Sequence, residues 1–218
     1  LAIPVFLYEY SAVKEERKNL ANIRAGEFEG MADKLSNALW RPDFGPAKCH
    51  PTAGVTAIGA REFLIAYNIN LNTDDKKIAT DIAFDIREQG RNKRDEKGKF
   101  VRDEDGLPIM VPGTLKACKA VGWYIDEYGV AQISMNLTNF NKTPPHIAFE
   151  ESREQTRKRG ARVTGSELVG LIPLNAMLDA GRYYLNKQNK STGIPEKNII
   201  HIAVKSMGLD ELAPFNPK

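Results

Sequence analysis

The residues of this chain best suited to nucleophilic or acid–base chemistry are two cysteines and three histidines. Cys49 and His50 are adjacent, and a thiol beside an imidazole is the pair that cysteine nucleophiles use. Side chains that are neighbours in sequence rarely point at each other, however, and no third group that could orient the imidazole is visible. The sequence therefore assigns this pair no catalytic role.

The other two histidines have structural interpretations. His201 lies in an apolar helical stretch beside Ile200 and Ile202, which predicts a partly buried imidazole. His146 follows Pro144-Pro145 in the first turn of a predicted helix, where we expect a neutral imidazole to face solvent. Histidine, cysteine and carboxylate residues never recur at the spacing of a ligand set, so the sequence predicts no metal site.

A segment rich in glycine and proline, residues 43–59, surrounds Cys49 and His50. It is too interrupted for a helix and too rich in turn residues for an interior strand. Two interpretations are open, an inter-domain linker or a loop whose bare backbone N–H groups approach a ligand closely. The segment lacks the GxGxxG and P-loop patterns, so neither nucleotide-binding fingerprint applies.

The element that must organise any site is a predicted β-hairpin between Leu115 and Phe140, with Gly129 at its turn. Its second arm alternates between apolar and polar residues, as expected of a strand with one buried face. The apolar side carries Ala131, Ile133, Met135 and Leu137, and the polar side carries Gln132, Ser134, Asn136 and Thr138. Since asparagine is a poor strand former that needs partners, the polar side is either a surface for a polar ligand or an ordinary solvated face.

The order of predicted elements from Glu62 onward is β, α, β-hairpin, α, β, α. This is the βαββαβ pattern of a ferredoxin-like sheet with helices on one, outer face. Predicted helix N-caps are Ser11, Thr73 and Thr143. Leu1 to Trp40 supplies one strand and two helices without a sheet, with Met31, Leu35 and Leu39 on one helical stripe. These residues are expected to be the tail of a preceding module, so the chain is expected to be a fragment.

Residues 91–113 are dense in charges of both signs and have little hydrophobic periodicity. This pattern predicts a solvent-exposed excursion from the fold. A lid over a site and an ordinary surface insertion are both compatible with it.

The composition is typical of a soluble globular protein, with 42% hydrophobic and 27% charged residues among 218. No apolar run is long enough to span a bilayer, and no secretory signal opens the chain. Two distant cysteines without a CxxC pair indicate a reduced, cytoplasmic compartment. A net charge of +3 is too small to indicate nucleic-acid binding but is compatible with an anionic small molecule.

Several motifs together resemble the glutamate formimidoyltransferase family, whose domain also forms the amino-terminal part of formimidoyltransferase-cyclodeaminases. The similarity runs in order through the whole chain. The motifs are Val5-Phe6-Leu7-Tyr8, Ile23-Arg24-Ala25-Gly26-Glu27, Pro42-Asp43-Phe44-Gly45-Pro46, residues 59–68, Arg87-Glu88-Gln89-Gly90-Arg91, Gly122-Trp123-Tyr124, residues 131–137, residues 165–174 and Gly208-Leu209-Asp210.

The resemblance implies transfer of a formimidoyl group from N-formimidoyl-L-glutamate to tetrahydrofolate in histidine degradation. It also implies a two-subdomain formiminotransferase fold, with facing sheets that leave a tunnel for folate. Residues 1–44 would be the end of the N-terminal subdomain, residues 45–59 the folate loop and junction, and residues 60–218 the C-terminal subdomain. A homodimer is compatible with this organisation.

The folate-binding residues implied by the resemblance are Gly45, Pro46, Ala47, Lys48, Cys49, His50, Pro51, Thr52, Ala53 and Gly54. Lys48, Cys49 and His50 depart from the small or apolar residues that relatives carry, and Ala53 stands where an aromatic can occur. Backbone contacts through Gly45 and Gly54 are therefore expected more than side-chain contacts.

The resemblance gives this chain no catalytic residue. The family's general base is a histidine followed by proline and arginine, and it would lie upstream of Leu1. His50-Pro51 imitates that motif in a different segment, so the role is not transferred to it. An alternative from another functional class is a folate-binding or regulatory module without catalytic activity.

Overall fold

The structure is a computed structural model that describes residues 2–217, and its chain divides into two compact units. Unit 1 is Leu1–Glu62 and unit 2 is Phe63–Lys218. Each contains strands and helices, which confirms the predicted mixed α/β class. Within residues 2–217, no helix is both long enough and apolar enough to cross a bilayer.

Unit 1 is built on a two-stranded parallel sheet in which the first and last strands of the unit pair. Its buried apolar side chains are Phe6, Ile23, Met31 and Leu35. The elements are β1 (Val5–Glu9), a 3₁₀ turn (Glu15–Arg17), α1 (Leu20–Arg24), α2 (Met31–Ser36), a second 3₁₀ turn (Ala38–Trp40) and β2 (Thr56–Ala60).

Three details of unit 1 differ from the sequence predictions. β2 lies inside the segment expected to be irregular, because β1 needs a hydrogen-bonded neighbour to be stable. Ser11 does not cap the first helix, since Asn19 Oδ1 accepts from the N–H of Ala21 at 3.2 Å. Leu39 leaves the predicted stripe and is 42% exposed, because the chain turns after Ser36.

A buried ion pair ties the start of the glycine-rich segment to the sheet of unit 1. Arg17 is 1% exposed, and its Nη1 donates to Asp43 Oδ1 at 2.6 Å. Its Nη2 donates to the carbonyls of Leu39 and Arg41. The second oxygen of Asp43 accepts from the N–H of Leu7 in β1 at 2.8 Å. A charge at this depth is tolerated because nearly every hydrogen-bonding group of the pair has a partner.

Unit 2 is a four-stranded sheet with helices packed against one side. The strand order is β6-β7-β3-β8, and every neighbouring pair is antiparallel. The elements are β3 (Ile65–Leu71), α3 (Lys76–Ile86), β4 (Arg91–Asn92), β5 (Met110–Val111), β6 (Cys118–Ile125), β7 (Val130–Leu137), α4 (Pro145–Arg157), β8 (Val163–Val169), α5 (Leu174–Lys187) and α6 (Glu196–Met207).

The sheet and helices of unit 2 share one hydrophobic core, because each element carries its apolar residues on the side that faces the others. The four-residue spacing of Ile78, Ile82 and Ile86 predicts one apolar side for α3, and Ile82 and Ile86 are fully buried. The predicted apolar side of β7 is buried throughout. α3 lies so close to β6 that a Cβ on Gly122 would fall 2.1 Å from the backbone nitrogen of Thr80. Helices α3 and α4 therefore cover the apolar side of the sheet.

The predicted caps in unit 2 are shifted by one or two residues. Asp75 caps α3, accepting from the N–H of Lys77 at 2.8 Å, while Thr73 Oγ1 accepts from the N–H of Asp75. Pro144 occupies the N-cap position of α4, and the Thr143 hydroxyl donates to a carbonyl outside the helix. The sequence thus locates the starts of α3 and α4 to within two residues.

The predicted environments of the two histidines of unit 2 are both wrong: His146, expected to face solvent, is buried, and His201, expected to be partly buried, is exposed. His146 is 7% exposed, since its ring lies 4.7 Å from the ring of Tyr183 on α5. Its burial lowers the pKa of the imidazole below the ordinary value, although Asp179 and Glu150 oppose the shift. His201 is exposed, because it projects from the side of α6 away from the buried Ile199 and Ala203.

Residues 91–113 form an ordered junction rather than an irregular loop. Backbone hydrogen bonds of 2.7 to 2.9 Å join Lys93, Val101 and Ile109 in a closed ring. The N–H of Val101 donates to the carbonyl of Lys93, that of Ile109 to the carbonyl of Val101, and that of Lys93 to the carbonyl of Ile109. Two hairpin turns, residues 94–100 and 102–108, project from this ring, and β4 with β5 forms its stem. The predicted exposure is confirmed, since residues 93–100 are exposed throughout.

Candidate ligand-binding site

The side of the unit 2 sheet opposite α3 and α4 is the surface best equipped to bind a polar ligand. We call it the polar face. Alternation along each strand sends every second side chain to it, and the registers of the four strands bring these side chains together. Its residues are Lys119, Val121 and Trp123 on β6, Gln132, Ser134 and Asn136 on β7, Ala66, Asn68 and Asn70 on β3, and Gly165, Glu167 and Val169 on β8.

A chain of hydrogen bonds crosses one end of the polar face. Trp123 Nε1 donates to Gln132 Oε1 at 2.9 Å, and Gln132 Nε2 donates to Asn70 Oδ1 at 2.6 Å. Asn70 Nδ2 then donates to Glu211 Oε2 at 2.7 Å. Gln132 and Asn70 are 1% and 0% exposed. These amides therefore find partners within the protein, and they fix the orientation of the indole above them.

The polar face is accessible at its two edges and at the end that carries Asn136, whereas Asn68 near its centre is 6% exposed. Asn68 Nδ2 donates to Glu167 Oε2 at 3.1 Å, which leaves the other carboxylate oxygen with acceptor capacity. Asn136 is exposed, and Val121 and Val169 are 55% and 54% exposed at opposite edges of the sheet. The surface thus combines amide and carboxylate groups with apolar patches, a combination suited to a flat molecule with polar edges.

The glycine-rich loop predicted to bind folate lies in unit 1, and most of it is exposed. Gly45, Pro46, Ala47, Lys48, Pro51, Thr52 and Ala53 are exposed, Cys49 and His50 are half-buried, and Gly54 is buried. The thiol of Cys49 is directed to the backbone carbonyl of His50 at 3.8 Å rather than to its ring. The structure therefore gives no thiol–imidazole nucleophile at this pair.

His50 organises the second half of this loop. Its Nδ1 accepts from the N–H of Ala53 at 3.0 Å and of Thr52 at 3.3 Å, so the imidazole proton resides on Nε2. The N–H of Gly54 donates to the carbonyl of His50 at 2.9 Å. The N–H groups of residues 52 to 54 consequently donate within the loop, and the contact of Gly54 with folate stays a prediction.

A cavity of about 290 Å³ lies within unit 1 beside the end of this loop. It offers a guanidinium, a carboxylate and an aromatic ring to a ligand. Its lining comprises Arg24, Glu27, Phe28, Met31, Ala53, Gly54 and Val55. Phe28 was not among the predicted site residues, although the neighbouring Arg24 and Glu27 belong to a motif that carries the family resemblance.

Metal ligation and nucleophilic attack by the Cys118 thiol receive no support from the described residues. Among residues 2–217, no three histidine, cysteine or acidic side chains converge as a metal site would require. Burial raises the pKa of the Cys118 thiol to about 12, so this buried cysteine is not a nucleophile at neutral pH. The site chemistry that remains is binding and orientation by amide, carboxylate, guanidinium and aromatic groups.

Comparison with known families assigns both units. The family model described as "Formiminotransferase domain" matches residues 66–218, and the model described as "Formiminotransferase domain, N-terminal subdomain" matches residues 1–61. The two matches together span nearly the whole chain and meet near the division between the two units.

Individual relatives extend the same similarity. The chain is 44% identical to a formimidoyltransferase-cyclodeaminase of Mus musculus over 218 residues, which is all of this chain and 37% of the relative. It is 42% identical to a protein of that name from Dictyostelium discoideum, with the same coverage. It is 43% identical over 189 residues to a glutamate formimidoyltransferase of Streptococcus pyogenes serotype M1, covering 87% of this chain and 56% of the relative. The chain thus spans between about two fifths and three fifths of the length of these relatives.

Proposed function

The chain belongs to the formiminotransferase domain family, and from that premise we propose that it is part of a transferase acting on folate. The reaction moves a formimidoyl group from N-formimidoyl-L-glutamate to tetrahydrofolate, as in histidine degradation. The folate amine attacks the formimidoyl carbon and gives up its proton, and the carbon–nitrogen bond to glutamate breaks as glutamate takes up a proton. The names of the relatives support the transfer itself.

The observation that carries this proposal is the polar face of the unit 2 sheet. A merely solvated face would not require buried amides that hydrogen-bond in a chain from Trp123 to Glu211. The chain of bonds holds the indole edge of Trp123 in place, and the exposed Asn136 and the Asn68–Glu167 pair lie on the same face. These groups can bind and orient a flat heterocycle with amide-like edges.

For unit 1 we propose that residues 45–54 with the adjacent cavity contact folate. Because His50 occupies the N–H groups of Thr52 and Ala53, side chains rather than the loop backbone supply contacts at that end. Phe28 offers a ring for stacking and Arg24 a guanidinium for a carboxylate. The loop therefore forms one side of the proposed folate site, and the hydrogen bonds of His50 fix its conformation.

No histidine of this chain is proposed as the general base. The Nδ1 lone pair of His50 is engaged in its own loop, His146 is buried beneath Tyr183, and His201 lies on the exposed side of α6. The residues described here bind and position the reactants, while proton removal is assigned to a group outside this set.

The direct test is an assay of folate-dependent loss of N-formimidoylglutamate by the intact protein that contains this chain.

Substitutions test the role of the polar face in this assay. Asn136→Trp places a large indole ring on the polar face, and we expect it to lower turnover at least about tenfold. Asn198→Trp is the matched control, since Asn198 is an exposed asparagine on α6, and we expect full turnover from it. No folate-dependent loss in the unsubstituted protein would refute the transferase, and binding without turnover would favour the non-catalytic module. Full turnover in Asn136→Trp would refute the role of the polar face.

A further inference from the structure

A pocket in unit 2 lies on the helix-covered side of the sheet, between α3 and the junction formed by residues 91–113. Its volume is about 290 Å³. We call it the arginine pocket, since its main lining residues are Asp81, Phe84, Arg87, Arg91, Arg94 and Phe100. α3 packs its buried residues against β6 and β7, so the pocket opens on the side of the sheet opposite the polar face.

Aromatic rings hold two of the three guanidinium groups of this pocket in place. The Cζ atom of Arg87 lies 4.2 Å from the ring centroid of Phe84, and that of Arg94 lies 4.3 Å from the ring centroid of Phe100. Stacking uses the face of a guanidinium and leaves its N–H edge for an acceptor. Each of the two groups therefore has an aromatic neighbour that favours its position in the pocket.

The positive charge of the pocket is only partly neutralised. Arg91 is paired, because its Nη2 lies 2.6 Å from Asp85 and its Nη1 lies 3.8 Å from Asp81. Asp85 is also paired with Arg159. The lining carries three arginines against one aspartate, a net charge of +2.

Arg87 is the half-buried arginine of the pocket that forms no ion pair within residues 2–217. Its Nε donates to the carbonyl of Gly90 at 2.8 Å, and within residues 2–217 neither of its terminal nitrogens has a carboxylate partner. Partial burial and the neighbouring charge of Arg91 both lower its pKa. A half-buried guanidinium beside a second cation is unfavourable unless an anion completes the site.

We propose that the arginine pocket binds a small dianion whose carboxylate or phosphate oxygens accept hydrogen bonds from the terminal nitrogens of Arg87 and Arg94. Arg94 keeps one terminal nitrogen for this purpose, since the other donates to the carbonyl of Gly98 at 2.6 Å. Planar guanidinium groups suit both kinds of anion, because each offers paired N–H donors to two oxygens. The site needs no residue of the polar face.

The repeat within the junction supplies a matched control. Arg102 precedes the second hairpin turn as Arg94 precedes the first, and its Nη1 donates to the carbonyl of Gly106 as that of Arg94 does to Gly98. Arg102 does not line the pocket. Replacing either arginine by glutamine removes the same charge and the same kind of turn contact, but only Arg94 faces the proposed ligand.

The test is a titration of the ¹⁵N-labelled chain, following backbone amides and arginine Nε–H signals by nuclear magnetic resonance. The probes are inorganic phosphate and glutarate, with sodium chloride at matched ionic strength as the reference. We expect saturable shifts at Arg87, Arg91 and Arg94 beyond those caused by chloride. Saturation by phosphate alone assigns a phosphate-bearing ligand, and saturation by glutarate alone assigns a dicarboxylate.

Substitutions then distinguish binding at the arginine pocket from non-specific electrostatic attraction of the anion to the protein. Arg94→Gln and Arg87→Gln should weaken binding at least about tenfold, the loss expected for one charge-assisted hydrogen bond. Arg102→Gln should stay within about twofold. Unchanged amide spectra away from the pocket confirm folding, and Arg87→Lys serves if Arg87→Gln does not fold. The proposal is overturned if neither probe saturates, or if Arg102→Gln weakens binding as much as Arg94→Gln.

Discussion

Gln132 donates a 2.6 Å hydrogen bond to Asn70 across the middle of the unit 2 sheet, joining β7 to β3 through side chains as well as backbone. Both residues are fully or almost fully buried on the side of the sheet opposite α3 and α4. Burying two amides is favourable only when their donors and acceptors are satisfied. Trp123 and Glu211 satisfy them here, so the polar face is a rigid surface.

The first prediction concerns the stability that this network gives to unit 2. Asn70→Ala leaves a buried donor of Gln132 without its acceptor, and we expect the free energy of unfolding to fall by about 1–3 kcal/mol. Urea denaturation followed by the fluorescence of Trp123, in a Trp40→Phe background, measures this change. Asn136→Ala, an exposed change on the same face, should stay within about 0.5 kcal/mol. Equal effects of the two substitutions would contradict the network.

The second prediction concerns the buried ion pair of unit 1. Asp43→Asn leaves the charge of Arg17 buried without a counterion, and we expect a loss of about 3–5 kcal/mol. Denaturation followed by Trp40 in a Trp123→Phe background reports on this unit. Glu15→Gln is the control, because the Lys18–Glu15 pair has side chains 58% and 80% exposed and should contribute nothing measurable. A loss below about 1 kcal/mol for Asp43→Asn would contradict the assigned role.

The third prediction concerns the packing of α3 on β6. Gly122→Ala places a methyl group 2.1 Å from the backbone nitrogen of Thr80, and backbone atoms of a helix cannot move aside individually. We expect a loss of about 3 kcal/mol or more, measured by thermal unfolding. Gly193→Ala is the control, since its added Cβ would meet only Ser191 Oγ at 3.5 Å. A fully stable Gly122→Ala protein would show that the helix does not approach the sheet so closely.

The fourth prediction concerns pH. Burial lowers the pKa of His146 in the folded protein, whereas in the unfolded chain it is about 6.5. As the pH falls below about 6.5, the unfolded chain takes up the proton first, so stability contributed by neutral His146 declines. His146→Phe keeps an aromatic ring against Tyr183 and should flatten the decline, as measured by urea denaturation across that range. An unchanged slope in His146→Phe would refute the assignment.

The sequence predicted those parts of the fold that depend on local periodicity. The alternation of Ala131, Ile133 and Met135 identified the buried side of β7, and the spacing of Ile82 and Ile86 identified the buried side of α3. Both patterns are short-range, because each residue's side of a strand or helix is fixed by its neighbours. The family resemblance, drawn from motifs along the chain, is confirmed by the two family models.

Features set by distant contacts could not be predicted in this way. The pairing of β1 with β2 joins segments about 50 residues apart, and Gln132 and Asn70 are 62 positions apart. His146 is buried because Tyr183 comes from another helix, which its local sequence does not encode. These contacts require tertiary packing to be known before they can be inferred.

One missed feature was visible in the sequence. Arg94-Asp95-Glu96-Lys97-Gly98 and Arg102-Asp103-Glu104-Asp105-Gly106 repeat a pattern at a fixed spacing. In each copy the aspartate Oδ1 accepts N–H donors from residues two and four positions later. A search for short repeats would therefore have predicted two similar turns where the charge density alone suggested an irregular excursion.

The measurement that tests the central claim most directly is titration of the Trp40→Phe chain with tetrahydrofolate. Trp123 is then the sole tryptophan, and its side chain lies on the polar face bonded to Gln132. If the polar face binds folate, Trp123 fluorescence will be quenched saturably, beyond the loss seen with free N-acetyltryptophanamide. Quenching that never saturates and equals that of the free amide would contradict the account.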